Sequence, residues 1–247
     1  MLLPFMDQVN IYNSLNPNVK LMGDWANDPV NYTLLQISIP AFLCPSDIGG
    51  NLNQNRSFNG SIGAPTHYMT TAINPLLAAN ANYAACGGNT GSNDGIFGNG
   101  VSPFVTFANI TDGASNTIAL GERSTATWPK TPPNAGPPMA ALLYGDEVSS
   151  TQTGDSAVTG QTQYQMNSGL WSAGPGVSSY ADSPTNAFGS IHAGGAHFLL
   201  ADGRVRFISD TVQFVKATGN NGAPTGAGAG IYQLLGSMND GQPIGQF

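Results

Sequence analysis

The sequence predicts an α+β fold: an antiparallel β-sheet with a short N-terminal helix and a long, loop-rich insertion. Three observations carry this expectation. Near the N-terminus Leu2, Phe5, Met6, Val9 and Tyr12 recur at spacings of three and four, the period of an amphipathic helix. The stretch AHFLLADGRVRFIS is two alternating runs joined by Asp202-Gly203, the pattern of a β-hairpin. Residues 125–189 are crowded with Pro, Gly, Ser and Thr and are too long for an ordinary connection, so they read as an elaboration of the fold.

Taken in order, Pro4 suits the first turn of a helix over residues 3–15. A further helical turn is expected after Asp28, in VNYTLLQ, and Pro40 and Pro45 then bracket a short edge-like strand in ISIPAFLCPSD. Residues 48–64, rich in Asn and Gly, read as a loop, THYMTTAI as a strand, and NANYAACGGNTGSNDGIFGNG as a loop again. Asp112-Gly113 marks a tight turn before an apolar strand of Thr117, Ile118, Ala119 and Leu120 that ends at Glu122 and Arg123. In the hairpin, a type I′ turn at Asp202-Gly203 puts Phe198, Leu200, Val205 and Phe207 on one buried face and Arg204 and Arg206 on the other. A short helix in SDTVQFVKA, capped by Ser209 or Asp210, and a last one in GIYQLLGSM complete a single domain over 1–247.

Composition excludes some functions. Seven Lys and Arg against fourteen Asp and Glu give a net charge of -7, which leaves no basic surface for a phosphate backbone, so nucleic acid is not an expected partner. Charged residues make up 9% of the chain, against roughly 25% in ordinary soluble domains. A neutral, polar, Gly-rich surface of this kind suits an extracytoplasmic protein or one that packs against its own copies. No apolar run approaches the ~20 residues that span a bilayer, and MLLPFMDQVN has no basic n-region, so neither membrane insertion nor a signal peptide is expected of this chain. Cys44 and Cys86 are too few and too isolated for a four-ligand zinc site; one disulfide or two free thiols remain open.

Four separated blocks carry a resemblance. His192, nine intervening residues and Asp202-Gly203 form one; LLPFMDQVNIYNSLN, FLCPSD and ITDGASNTIALGER are the others, and the closing GQPIGQF agrees. In this order they resemble a large bacterial family of pilin-like proteins with a prepilin-type N-terminus, named for that His and Asp-Gly spacing. The resemblance covers most of the chain apart from residues 125–180. It implies a pseudopilin-like head, mainly β, preceded in full-length members by a cleaved leader and a long apolar helix. Neither appears in this sequence, so a central helix bundle is not expected of the chain as given; a segment upstream of it, or assembly through the head, would each account for this. The expected role is structural: self-association into a filament, tube or surface layer, at the cell surface or secreted, with no enzymatic activity.

The residues of the motifs are given structural roles. His192, beside Gly194 and Gly195, is expected to pin its loop by hydrogen bonds to backbone and to coordinate no metal, since Asp202 and His197 are poorly placed to join it. Asp112 and Gly113 belong to their turn, and Glu122 is expected to pair with Arg123 or another arginine. Cys44 has no neighbouring base in the sequence to activate it, and no Ser-His-acid motif is present. No cofactor is expected, although Asn89, Ser92, Asn93 and Asp94 offer oxygen ligands for calcium without the spacing of an EF-hand. The alternative function is binding of a surface polysaccharide through Trp171, Tyr164 and Tyr180, whose flat apolar faces suit sugar rings.

Overall fold

The computed structural model describes residues 2–15, 33–59, 75–90, 94–98, 104–125, 141–144, 155–167, 186–216, 224–245 and 247. Within these the fold is α+β, with short helices and two sheets. The expected N-terminal helix is broken in two. Leu3–Met6 form a 3₁₀ turn, and α1 (Val9–Leu15) begins only after Asp7, whose φ of 57° ends the first turn while its N–H bonds Leu3 O. An Asp tolerates this left-handed conformation better than most residues.

The smaller sheet holds β1 (Leu52–Asn59), β2 (Pro75–Ala81) and β5 (Ala141–Leu142) in the antiparallel order β1-β2-β5. The larger sheet contains β3 (Tyr83–Gly88), β4 (Ile118–Glu122), β6 (Thr159–Gln161), β7 (Gly195–Leu200) and β8 (Val205–Ser209), in the order β6-β3-β4-β7-β8. All pairs in it are antiparallel except β3 with β6. The chain crosses between the sheets most directly where β2 ends at Ala81, Asn82 makes the joint, and β3 starts at Tyr83. Two further helices, α2 (Asp155–Val158) and α3 (Ile231–Leu234), are one turn each.

Both stretches expected to be loops, 48–64 and 80–100, contribute strands. Ala78, Ala79, Ala81, Ala84 and Cys86 are all buried, so the alternation that marks a half-exposed strand is absent from the sequence. The edge-like strand expected between Pro40 and Pro45 is instead a 3₁₀ turn at Pro40–Phe42, with Pro40 in the first position and Leu43 N–H bonding Pro40 O. Among the described residues of SDTVQFVKA there is no helix. Val212 N–H closes a turn on Ser209 O, and the Gln233 side chain then holds Val215 extended, accepting from its N–H and donating to its C=O, both at 3.0 Å. The expected last helix is α3, and the strand ending at Glu122 is β4. The expected strand in THYMTTAI lies outside the described residues.

The hairpin of β7 and β8 is where it was expected, but its register differs by one residue. Only Gly203 has positive φ, +88°, while Asp202 does not. Gly203 N–H bonds Leu200 O and Leu200 N–H bonds Arg204 O, which is a three-residue connection ending in a left-handed glycine rather than a two-residue type I′ turn. The Asp202 carboxylate favours it by accepting from Arg204 N at 2.9 Å. The extra residue pairs Phe198 with Arg206 and His197 with Phe207, and a slip of one residue exchanges the faces of a strand. Val205 and Phe207 are therefore exposed on the side of His197, contrary to expectation, while Ala196, Phe198, Leu200 and Ile208 enter the core. Arg206, which was expected to face outward, lies over the Phe247 ring at 4.1 Å.

Two apolar clusters support the sheets. The larger gathers Ile118, Phe188, Phe198, Leu200, Ile208, Tyr232 and Leu235, and the smaller gathers Leu3, Leu15, Leu35, Ile39 and Tyr144, with Phe42 and Leu143 packing against both. Phe188 and Phe198 meet edge to face at 5.4 Å over β4. They can do so because Gly121 carries no side chain: a Cβ there would stand 2.5 Å from Phe188 and 2.6 Å from Phe198.

Candidate functional site

The site begins with the turn Cys44-Pro45-Ser46-Asp47, closed by Asp47 N–H on Cys44 O at 3.0 Å, with Pro45 presetting the second position. Asp47 docks this turn beyond the end of β4. It accepts from Ser124 Oγ at 2.8 Å, Thr125 N at 3.0 Å and Thr125 Oγ1 at 2.8 Å, and also from Asn82 Nδ2. Burial acts to raise the Asp47 pKa, but these hydrogen bonds outweigh it and hold the carboxyl below its usual 3.8. Asn82, at the joint between the sheets, completes the attachment. Its Oδ1 accepts from Cys44 N at 2.9 Å, and its backbone carbonyl accepts from Arg123 N at 2.7 Å.

This docking brings Cys44 beside Glu122 and His192. Glu122 is the last residue of β4, with a side chain only 7% exposed, and a buried carboxylate must find donors. Its Oε2 accepts from the backbone N–H of His197 at 2.8 Å and lies 3.5 Å from His197 Nδ1; its Oε1 is 3.3 Å from His192 Nε2. The same His192 nitrogen is 3.9 Å from Cys44 Sγ, which in turn lies 3.1 Å from Ser46 Oγ. The two imidazoles pack edge to face at 5.2 Å, and Phe207 covers the other side of His197 at 5.1 Å. Tyr83 borders the group, its pKa raised first by burial and then by the proximity of Cys44 and Glu122. Cys44, Glu122 and His192 thus present one thiol, one carboxylate and one imidazole with their donor atoms all within 4.8 Å of one another.

Several expectations change here. The His192 ring meets Glu122 and Cys44 rather than loop backbone, because Asn167 already serves that backbone by accepting from Ser190 N at 2.8 Å. Glu122 pairs with the two histidines; Arg123 is buried, with Nε donating to Ala187 O and Nη1 to Thr159 O. Asp202 remains at the hairpin turn with Arg204, 2.7 Å from its Nε, at the far end of β7 from His192. Asp112 does more than shape its turn, accepting from Asp240 N at 2.6 Å and Gly241 N at 2.9 Å and so tying down the C-terminal segment, while Gly113 takes a φ of 96°. Cys44 and Cys86 are both free thiols. Cys86 is fully buried in the larger cluster, which pushes its pKa up to about 12.

Of the calcium candidates, Ser92 and Asn93 lie outside the described residues. Asp94 closes its own turn, with Oδ1 accepting from Thr90 N and Thr90 Oγ1 at 3.1 Å and Oδ2 from Asn89 N at 3.3 Å, and Asn89 Nδ2 donates to Pro224 O. Of the candidate sugar contacts, Trp171 and Tyr180 lie outside the described residues and Tyr164 is half-buried. Two other aromatics of the insertion, Tyr144 and Phe188, are buried in the two clusters.

The three residues come from well-separated parts of the chain, Cys44 and His192 being 148 positions apart, and no local motif links them. The one available signal was that each falls in a different block of the resemblance. The family described as a protein of unknown function (DUF1559) matches residues 1–214, and the chain belongs to that family. No curated protein and no solved structure matches it.

Proposed function

We propose that the chain is the pilin-like head of an extracytoplasmic structural protein that associates with its own copies into a filament, tube or layer. The observation that carries this is apolar side chains left in solvent on two separate elements. Phe104 and Phe107, at and before the Thr106-capped 3₁₀ turn, are 99% and 76% exposed. On the N-terminal segment Leu2, Phe5 and Val9 are exposed as well, with Phe5 at 86%. Burying one such side chain in a contact is worth about 1.5–3 kcal/mol. Exposed apolar side chains on two elements can serve a head-to-tail contact, which propagates, rather than only a self-complementary one, which closes at a dimer. The low charge removes a barrier to such packing.

Light scattering coupled to size exclusion, over a range of concentrations, tests this reading. Association should appear in the wild type and weaken in Phe5→Ser and in Phe104→Ser with Phe107→Ser. A chain that stays monomeric at the highest attainable concentration would count against it.

A further inference from the structure

We infer that Cys44, Glu122 and His192 form a binding site for a divalent transition metal of the zinc class. The spacing of the donors is the first argument. Metal bonds of about 2.3 Å to sulfur and about 2.0–2.2 Å to nitrogen and oxygen set tetrahedral edges of about 3.6 Å for S···N and about 3.4 Å for N···O. The corresponding separations are 3.9 Å for Cys44 Sγ to His192 Nε2 and 3.3 Å for His192 Nε2 to Glu122 Oε1. Small side-chain movements suffice to close the thiol onto an ion.

The surroundings are the second argument. Each donor is held by partners outside the set: Cys44 by Asn82 through its backbone N–H, Glu122 by His197 through Oε2, and the loop of His192 by Asn167 through Ser190 N. The Glu122 oxygen facing His192 is thereby presented by its bonded twin, the kind of outer support that metal ligands ordinarily have. The third argument is access. The side chain of His192 is 32% exposed and that of His197 44%, so an ion reaches the donors from solvent and keeps a fourth position for water or another ligand. A thiolate donor selects zinc, cobalt or nickel over magnesium and calcium. When the metal–sulfur bond forms, the Cys44 S–H proton passes to solvent, so binding releases a proton and weakens as the pH falls.

Metal-stripped full-length protein should bind one equivalent of Zn²⁺ in competition with a chromophoric chelator. Co²⁺ in its place should show a thiolate-to-metal charge-transfer band in the near ultraviolet. Cys44→Ser should abolish that band, and Cys44→Ser with His192→Ala should lower zinc affinity at least about a hundredfold. His197→Ala, which keeps the backbone N–H on Glu122 Oε2 and removes only the imidazole 3.5 Å from it, should cost no more than about tenfold and keep the band. Circular dichroism of the metal-free variants checks that they fold. A measurement on the wild type alone is independent of them: Zn²⁺ should slow alkylation of Cys44 by iodoacetamide. The site is refuted if zinc leaves that rate unchanged, or if the double variant folds and retains wild-type affinity.

Discussion

The backbone N–H of His197 donates to Glu122 Oε2 at 2.8 Å, so a side chain completes the hydrogen bonding of β7 where β4 ends. Removing the acceptor leaves a part-buried donor unpaired. Glu122→Ala should therefore cost about 1–3 kcal/mol in urea unfolding, and Glu122→Gln, which keeps an amide oxygen, clearly less. Equal losses in the two variants would mean that this bond contributes little.

Asp47 gives the protein an acid-sensitive element. Its folded pKa lies below the ordinary 3.8 because four kinds of donor overcome the effect of burial. A carboxyl depressed in the folded state stabilises the fold above its unfolded pKa, and that contribution is lost as the pH falls through the folded value. The midpoint of thermal unfolding should drop as the pH falls from near the unfolded value of 3.8 through the lower folded one, and the drop should be shallower in Asp47→Asn, which begins less stable at neutral pH. Parallel profiles for the two proteins would exclude Asp47 as the cause.

Gly203 and Gly121 are both intolerant of side chains, for different reasons. At Gly203 nothing lies within 4 Å of an added Cβ, and only the φ of +88° resists. Gly203→Val should cost more than about 1 kcal/mol and Gly203→Asn distinctly less, since Asn accepts this region of conformational space. At Gly121 the backbone is permissive but Phe188 and Phe198 occupy the space. Gly121→Ala should cost about 1–3 kcal/mol through displaced rings, visible as a changed near-ultraviolet circular dichroism spectrum.

The two thiols should react very differently. Cys44 is partly exposed, whereas Cys86 is fully buried with its pKa pushed up to about 12. Iodoacetamide should modify Cys44 in the native, metal-free protein and reach Cys86 only in denaturant, as peptide mass mapping can establish. Modification of Cys86 at a native rate would show that the larger cluster opens far more readily than its packing implies.

Much of the α+β fold was legible in the sequence. The hairpin, β4 and α3 announce themselves through alternation, an apolar run and a bounded periodic segment. The register of the hairpin did not, because Asp-Gly suits both a two-residue turn and the last two positions of a three-residue one. The Asp202 bond to Arg204 N, which the sequence does not announce, favours the second. The strands around Ala78 to Cys86 escaped notice because Ala and Gly are read as loop when their burial is unknown. The candidate site was illegible for a deeper reason: Cys44, Glu122 and His192 each had an adequate local explanation. It took Asn82, which did not stand out in the sequence, and Asp47, which closes the FLCPSD block, to carry the thiol to the other two.

The joint at Asn82 makes this grouping a gauge of the angle between the sheets. One amide side chain grips the Cys44 turn while its own backbone binds the strand that carries Glu122, so bending the chain there moves the thiol relative to the carboxylate. The chain also passes between the sheets on either side of β5, but the passage at Asn82 takes a single residue. Tension at the joint would lengthen the gap between Cys44 and His192, and a bound ion bridging that gap would tie the Cys44 turn, and Asn82 with it, to the larger sheet.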